Sequence, residues 1–222
     1  MIAPLLALLA CKAESLGVDV PRGGPDAISQ EDLQRDVFML TERGLEDRSP
    51  TSRGGAEASR RVSERLQQMH LLPAFGDAYE RPGGLLCGQK DGRSGKGVLV
   101  AAEDRGTGAA SAAAVAAIIS LAKAFDVRDP PADTLLLCVW PAQGGAAAWL
   151  EQPAMPMADL RRVIVLAELA GPLQTAEQAP MQGAPLTRVS GHAPAETDTM
   201  DRLDYRALER AVRDVHALVV AP

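Results

Sequence analysis

Four short stretches of this 222-residue chain carry side chains able to hold a metal or move a proton, and three of them follow an uninterrupted apolar run. Glu103-Asp104 comes after residues 97–102, Pro141-Ala142-Gln143-Gly144 after residues 134–140, and Glu168-Leu169-Ala170-Gly171 closes the run that starts at residue 162. The fourth is Gly191-His192-Ala193-Pro194-Ala195-Glu196-Thr197-Asp198. Carboxylate and imidazole groups are the ligands of zinc-type ions, and a nearby carboxylate can take the proton of a metal-bound water. Gln143 cannot take that proton, because its amide is neutral and not basic. Alone, His192 in a Pro- and Gly-containing loop reads as a surface histidine, and Glu168 as a cap on the next segment. His70 and His216 fall on predicted helices, solvated or partly packed.

The elements that must position these groups alternate between two periods. Residues 97–102, 134–140 and 162–168 are short strands apolar on both faces, and the segments between them are helical. Such strands belong in a parallel sheet covered on both sides. The expected fold class is therefore α/β, a three-layer αβα sandwich with a mostly parallel central sheet. In such sheets ligands bind beyond the carboxyl ends of the strands, where the polar stretches lie. Further helices are predicted from Ser29, where a capping pattern precedes Leu33, Val37 and Leu40, and over residues 56–69, 111–123, 145–150 and 203–220. Pro73 bars continuation of the second.

Composition bounds the partners. Apolar residues make up 46% of the chain, enough for a real core, while a net charge of -6 without any basic run excludes nucleic acid. Residues 1–11 form an uncharged apolar run ending in Leu8-Leu9-Ala10-Cys11, similar to a lipobox, and too short to span a bilayer. The reading is a signal segment over 1–11 with lipidation at Cys11, a flexible Gly- and Pro-containing linker over 12–28, and one domain over 29–222. The protein would then be extracytoplasmic and touch a membrane only through its lipid anchor. With no Lys or Arg before Cys11, a cytoplasmic protein with a plain apolar N-terminus is the alternative. Cys87 and Cys138 form no C-x-x-C pattern. Cys138, inside an apolar strand, is expected to be a buried free thiol, with a Cys87–Cys138 disulfide as the other possibility.

From about Ile28 to Ala221 the order of these stretches resembles the two-zinc aminopeptidase family, which includes bacterial leucyl aminopeptidases, glutaminyl cyclases and nicastrin. The resemblance rests on Leu45-Glu46-Asp47-Arg48, on Glu168-Leu169-Ala170-Gly171, on His192-Ala193-Pro194 and on the strand ends between them. It implies a zinc-exopeptidase-like sheet whose strand ends hold two zinc ions. A bridging carboxylate would offset the repulsion between the ions, and a second carboxylate would act as general base.

Most of what the resemblance calls for is replaced in this chain. Ala102 stands at the first His position, with Asp104, the acid that would orient that His, still present. Ala110 stands at the bridging Asp, Gln143 at the general base and Gly144 at the adjoining ligand. Glu168 and His192 remain as vestigial ligands, one to each ion. Glu103 would fill the Ala102 position only through a one-residue slip. Just 20 residues separate Gly171 from His192, fewer than the resemblance implies, with residues 183–189 as the strand before the final His. The expected function is a catalytically degenerate aminopeptidase-like domain that needs no cofactor and binds a peptide or protein partner. An active exopeptidase with rearranged zinc ligands and a structural module without ligand are the rivals.

Overall fold

The computed structural model describes residues 23–127, 129–170, 174–191 and 198–221. Eight strands, β1 (Leu72–Pro73), β2 (Glu80–Arg81), β3 (Leu85–Lys90), β4 (Gly97–Asp104), β5 (Thr134–Pro141), β6 (Leu160–Ala167), β7 (Gln174–Met181) and β8 (Ala184–Ser190), join in one sheet. The helices are α1 (Gln30–Thr41), α2 (Arg53–Gln68), α3 (Ala109–Ala124), α4 (Gly145–Glu151) and α5 (Tyr205–Val220). The sheet order is β1-β3-β5-β4-β6-β8-β7, with β2 paired to β3. Its centre, β5-β4-β6-β8, is parallel, and β3 and β7 flank it antiparallel. The three apolar runs read from the sequence are the neighbours β5, β4 and β6.

Alternation along β4 divides the core between two faces. Val98, Val100 and Ala102 pack under α3 together with residues of α1, α2 and α5. Leu99 and Ala101 face the other way, onto Trp140, Trp149, Val163 and Val165. The first face carries four helices. Among the described residues the second carries one seven-residue helix, α4, and a single 3-10 turn at Met157–Asp159, a thin third layer. Helix α3 is almost wholly buried because its Ala-rich surface lets the sheet and the outer helices approach closely on every side.

Several boundaries differ from the sequence expectation. Residues 23–28, read as linker, pack on the domain. Pro25–Ala27 form a 3-10 turn, Gly24 donates its N–H to the Ala124 carbonyl at 2.6 Å, and Ile28 is fully buried. Helix α2 starts three residues before the predicted residue 56, with Ser52 Oγ accepting from Gly55 N–H. Gly54 and Gly55 do not break it; they let a loop press close. A Cβ there would lie 2.1 Å from the Asp47 carbonyl oxygen and 2.0 Å from that of Ser49. That contact fixes the loop carrying Arg48.

The buried free thiol expected at Cys138 is also corrected. Cys87 on β3 stands directly opposite Cys138 on β5, with Cα atoms 4.1 Å apart, and the two form a disulfide. The backbone N–H and C=O of Cys87 point away from β5, to Tyr79 and Ala74, so this is a non-hydrogen-bonded pair, the closest kind of cross-strand approach. The sequence could not bring them together because β3 itself was not predicted.

Candidate functional site at the carboxyl rim of the sheet

The parallel strands end level with one another. Asp104 pairs in register with Pro141, Glu103 with Ala167, and Ala167 with Ser190. Short backbone bonds tie the segments that follow. Ala142 N–H donates to the Asp104 carbonyl at 2.9 Å, Leu169 N–H to the Ala110 carbonyl at 3.1 Å, and Gly191 N–H to the Glu168 carbonyl at 3.1 Å. Ala102, Asp104, Ala110, Gln143, Gly144 and Glu168 therefore gather at one rim, around the start of α3. His192 lies outside the described residues, and its neighbour Gly191 places the chain beside Glu168.

Asp104 is engaged from several sides. Oδ1 accepts the Ser111 hydroxyl at 2.6 Å and the Gly106 N–H at 2.8 Å. Arg48 lies across both carboxylate oxygens at 3.4 Å, its side chain 1% exposed. The same guanidinium donates to the Leu40 carbonyl at 2.9 Å and the Gly108 carbonyl at 3.2 Å, joining α1, β4 and the turn into α3. What the sequence offered as a remnant that orients a histidine is here the centre of a structural network.

The positions that the resemblance reads as lost ligands have structural roles of their own. The Ala102 methyl is fully buried under α3. At Ala110 a carboxylate does arrive, but from Asp198, whose Oδ1 accepts the Ala110 N–H at 2.6 Å. It acts as an N-terminal cap for α3, where Gly108 has no side chain to offer and negative charge is favoured. Gly108 has φ of 78° and a Cβ there would meet Asp198 Oδ2 at 2.0 Å, so both strain and space require glycine. Gly144 caps α4 in the left-handed region at φ 81°, where a ligand-bearing residue would be strained.

Two more acids at the rim are paired with arginines. Glu103 follows Ala102 along the strand and so points to the opposite face. There both Nη atoms of Arg188, on β8, donate to its two oxygens at 3.1 and 2.6 Å. Ala102 and Glu103 thus serve opposite faces of the sheet, the first in the core under α3 and the second paired with Arg188. Glu168 adopts a left-handed backbone at φ 48°, held by the bonds of Leu169 and Gly191. Its carboxylate meets Arg105 Nη1 at 2.5 Å. Every carboxylate of the strand ends thus has its own arginine: Asp104–Arg48, Glu103–Arg188 and Glu168–Arg105.

Among the described residues, this donor set does not fit a pair of zinc ions. Bringing two divalent cations beside three guanidinium groups adds like charge, and the acids that would offset it are engaged. Among the described residues no three His, Cys, Asp or Glu side chains gather closely enough to hold a metal. What the rim does offer is a cleft of about 930 Å³ lined by Ser49, Glu103, Arg105, Thr107, Gln143 and Arg188, among others.

Sequence reasoning singled out Asp104, Gln143 and Glu168 but missed Arg105, Ser111, Arg188 and Asp198 as their surroundings. One signal was available. Arg105 directly follows the acid that ends β4, so a cation stands at the rim itself.

A mixed sheet with this parallel centre, a buried helix after β4 and polar groups at the strand ends is the fold of the zinc-dependent exopeptidases. The solved structures it is similar to include a zinc-dependent exopeptidase from Parabacteroides distasonis (12% identity, TM-score 0.67, 88% of this chain and 99% of that one). A glutaminyl cyclase from Bacteroides thetaiotaomicron, bound to N-acetylhistamine, also has 12% identity and a TM-score of 0.67, over 88% and 98%. The LapA aminopeptidase of Legionella pneumophila has 11% identity and a TM-score of 0.68, over 89% and 74%. At these identities the likeness is one of fold. No family model matches the sequence, and no curated protein sequence does.

Proposed function

We propose that this chain is a catalytically degenerate zinc-aminopeptidase-like domain that uses the rim cleft to bind a peptide or a partner protein without a metal. The observation that carries the reading is the set of three arginine–carboxylate pairs at the strand ends. Guanidinium groups there supply the positive charge that zinc supplies in the fold's enzymes, but they cannot lower the pKa of a bound water as a metal does. Gln143 cannot accept a proton, and loss of a general base alone costs about 10²–10⁴ in rate.

The purified protein, prepared without chelator, is expected to release no N-terminal residues from aminoacyl or peptide substrates at a zinc-dependent rate. Steady zinc-dependent release, abolished by His192→Ala and accompanied by stoichiometric zinc on metal analysis, would establish an active exopeptidase with rearranged ligands instead.

The domain is proposed to be extracytoplasmic and tethered through a lipid on Cys11. No helix among the described residues is long and apolar enough to cross a membrane, and a Cys87–Cys138 disulfide suits an oxidising compartment. Cys11→Ser is expected to move the protein from the membrane fraction to the soluble one. Unchanged fractionation, with the N-terminal methionine intact, would argue for a cytoplasmic protein.

A further inference from the structure

We infer that the rim cleft takes its ligand by a carboxylate group, not by an ammonium group; the inference rests on the binding role proposed above and specifies its ligand. Three observations meet here. First, the acids that an ammonium would need are already engaged. Glu103 is bidentate to Arg188, Asp104 accepts from Arg48, Gly106 and Ser111, and Glu168 pairs with Arg105.

Second, donors remain. Arg105 has a side chain 61% exposed and lines the cleft. Among the described residues it is engaged only through Nη1, by Glu168. A guanidinium carries five N–H groups in a planar fork, so one edge can hold Glu168 while the other receives a second carboxylate. Third, the neutral groups beside it suit the same ligand. Gln143 is exposed, with an amide that donates as well as accepts, and the hydroxyls of Thr107 and Ser49 lie along the same cleft. The Gln143 position is where an acid would repel a carboxylate and an amide does not.

The ligand class is therefore a molecule with a free carboxylate next to a peptide or acyl group, such as a peptide C-terminus or an N-acylated amino acid. The full domain can be titrated calorimetrically with two probes built on the same alanylalanine unit. N-acetyl-alanylalanine has the carboxylate and no ammonium, and alanylalaninamide has the ammonium and no carboxylate. The first is expected to bind at least about tenfold more tightly, and Arg105→Ala to weaken it by about tenfold. Gln143→Glu should weaken it as well, by repulsion. Arg60→Ala, on the solvated face of α2, should leave it unchanged. Circular dichroism checks that each variant is folded, as expected for exposed positions.

Equal or tighter binding of the ammonium probe, insensitive to Arg105→Ala, would overturn the carboxylate assignment while leaving a peptide-binding cleft in place. Absence of binding by either probe at roughly 10 mM would overturn the assignment and remove peptide ends from the proposed function. Zinc-dependent cleavage of alanylalaninamide would overturn both readings together.

Discussion

Replacing Arg48 by Ala is expected to lower the unfolding free energy by about 3 kcal/mol or more, the scale for removing one partner of a buried ion pair. The side chain is 1% exposed and holds three parts of the fold. Its loss leaves the Leu40 and Gly108 carbonyls without that donor and takes the counter-charge from Asp104. Asp104 keeps its bonds from Gly106 and Ser111, which limits the damage to the lower part of the range seen for such losses. Urea denaturation of Arg48→Ala, Asp104→Asn and the double variant would measure it. A coupling energy near zero between the two would show that the pair contributes nothing, and a loss below about 1 kcal/mol would sink the network as a stabilising centre.

Breaking the Cys87–Cys138 bond is expected to cost about 4 kcal/mol, and to lower Tm by roughly 10 °C. The estimate follows from the 51-residue separation of the two cysteines, since opening that loop releases chain entropy to the unfolded state. The bond also ties β3, which arrives from the α2 side, to the parallel centre at β5. Melting curves of the native protein, the reduced protein and the Cys87→Ala/Cys138→Ala variant give the test. Identical melting in all three, with two titratable thiols in the native protein, would show that the bond is not formed.

The two predictions differ in how much of their basis could be read beforehand. Arg48 stood out in the Leu45-Glu46-Asp47-Arg48 stretch, but as part of a resemblance, without a physical role. That role depends on Gly54 and Gly55 letting the loop sit against α2, and on β4 delivering Asp104 to the same place. The disulfide was one of two open readings, because β3 is short, carries Gly88 and shows no alternation that would announce a strand. Strand β7 was hidden for the opposite reason. Residues 174–180 are exposed on both faces at the sheet edge, so no apolar pattern is imposed on them.

The sequence by itself determined the parallel centre, because strands buried on both faces must be apolar throughout, and three such runs separated by helical segments allow few other arrangements. It determined, too, where to look for the site, since side chains at strand ends of a parallel sheet share one rim. The resemblance also implied which groups are replaced there, at Ala102, Ala110, Gln143 and Gly144. The partners of the remaining acids were decided only by tertiary structure. Glu103 meets Arg188 because β6 lies between β4 and β8 and both side chains take the same face. Glu168 meets Arg105 because the turns after β6 and β4 are neighbours. Charge pairing acts over a few ångströms, whereas these partners lie 85 and 63 positions apart along the chain. No local pattern carries that information; the strand order and the two-residue period of the sheet create it.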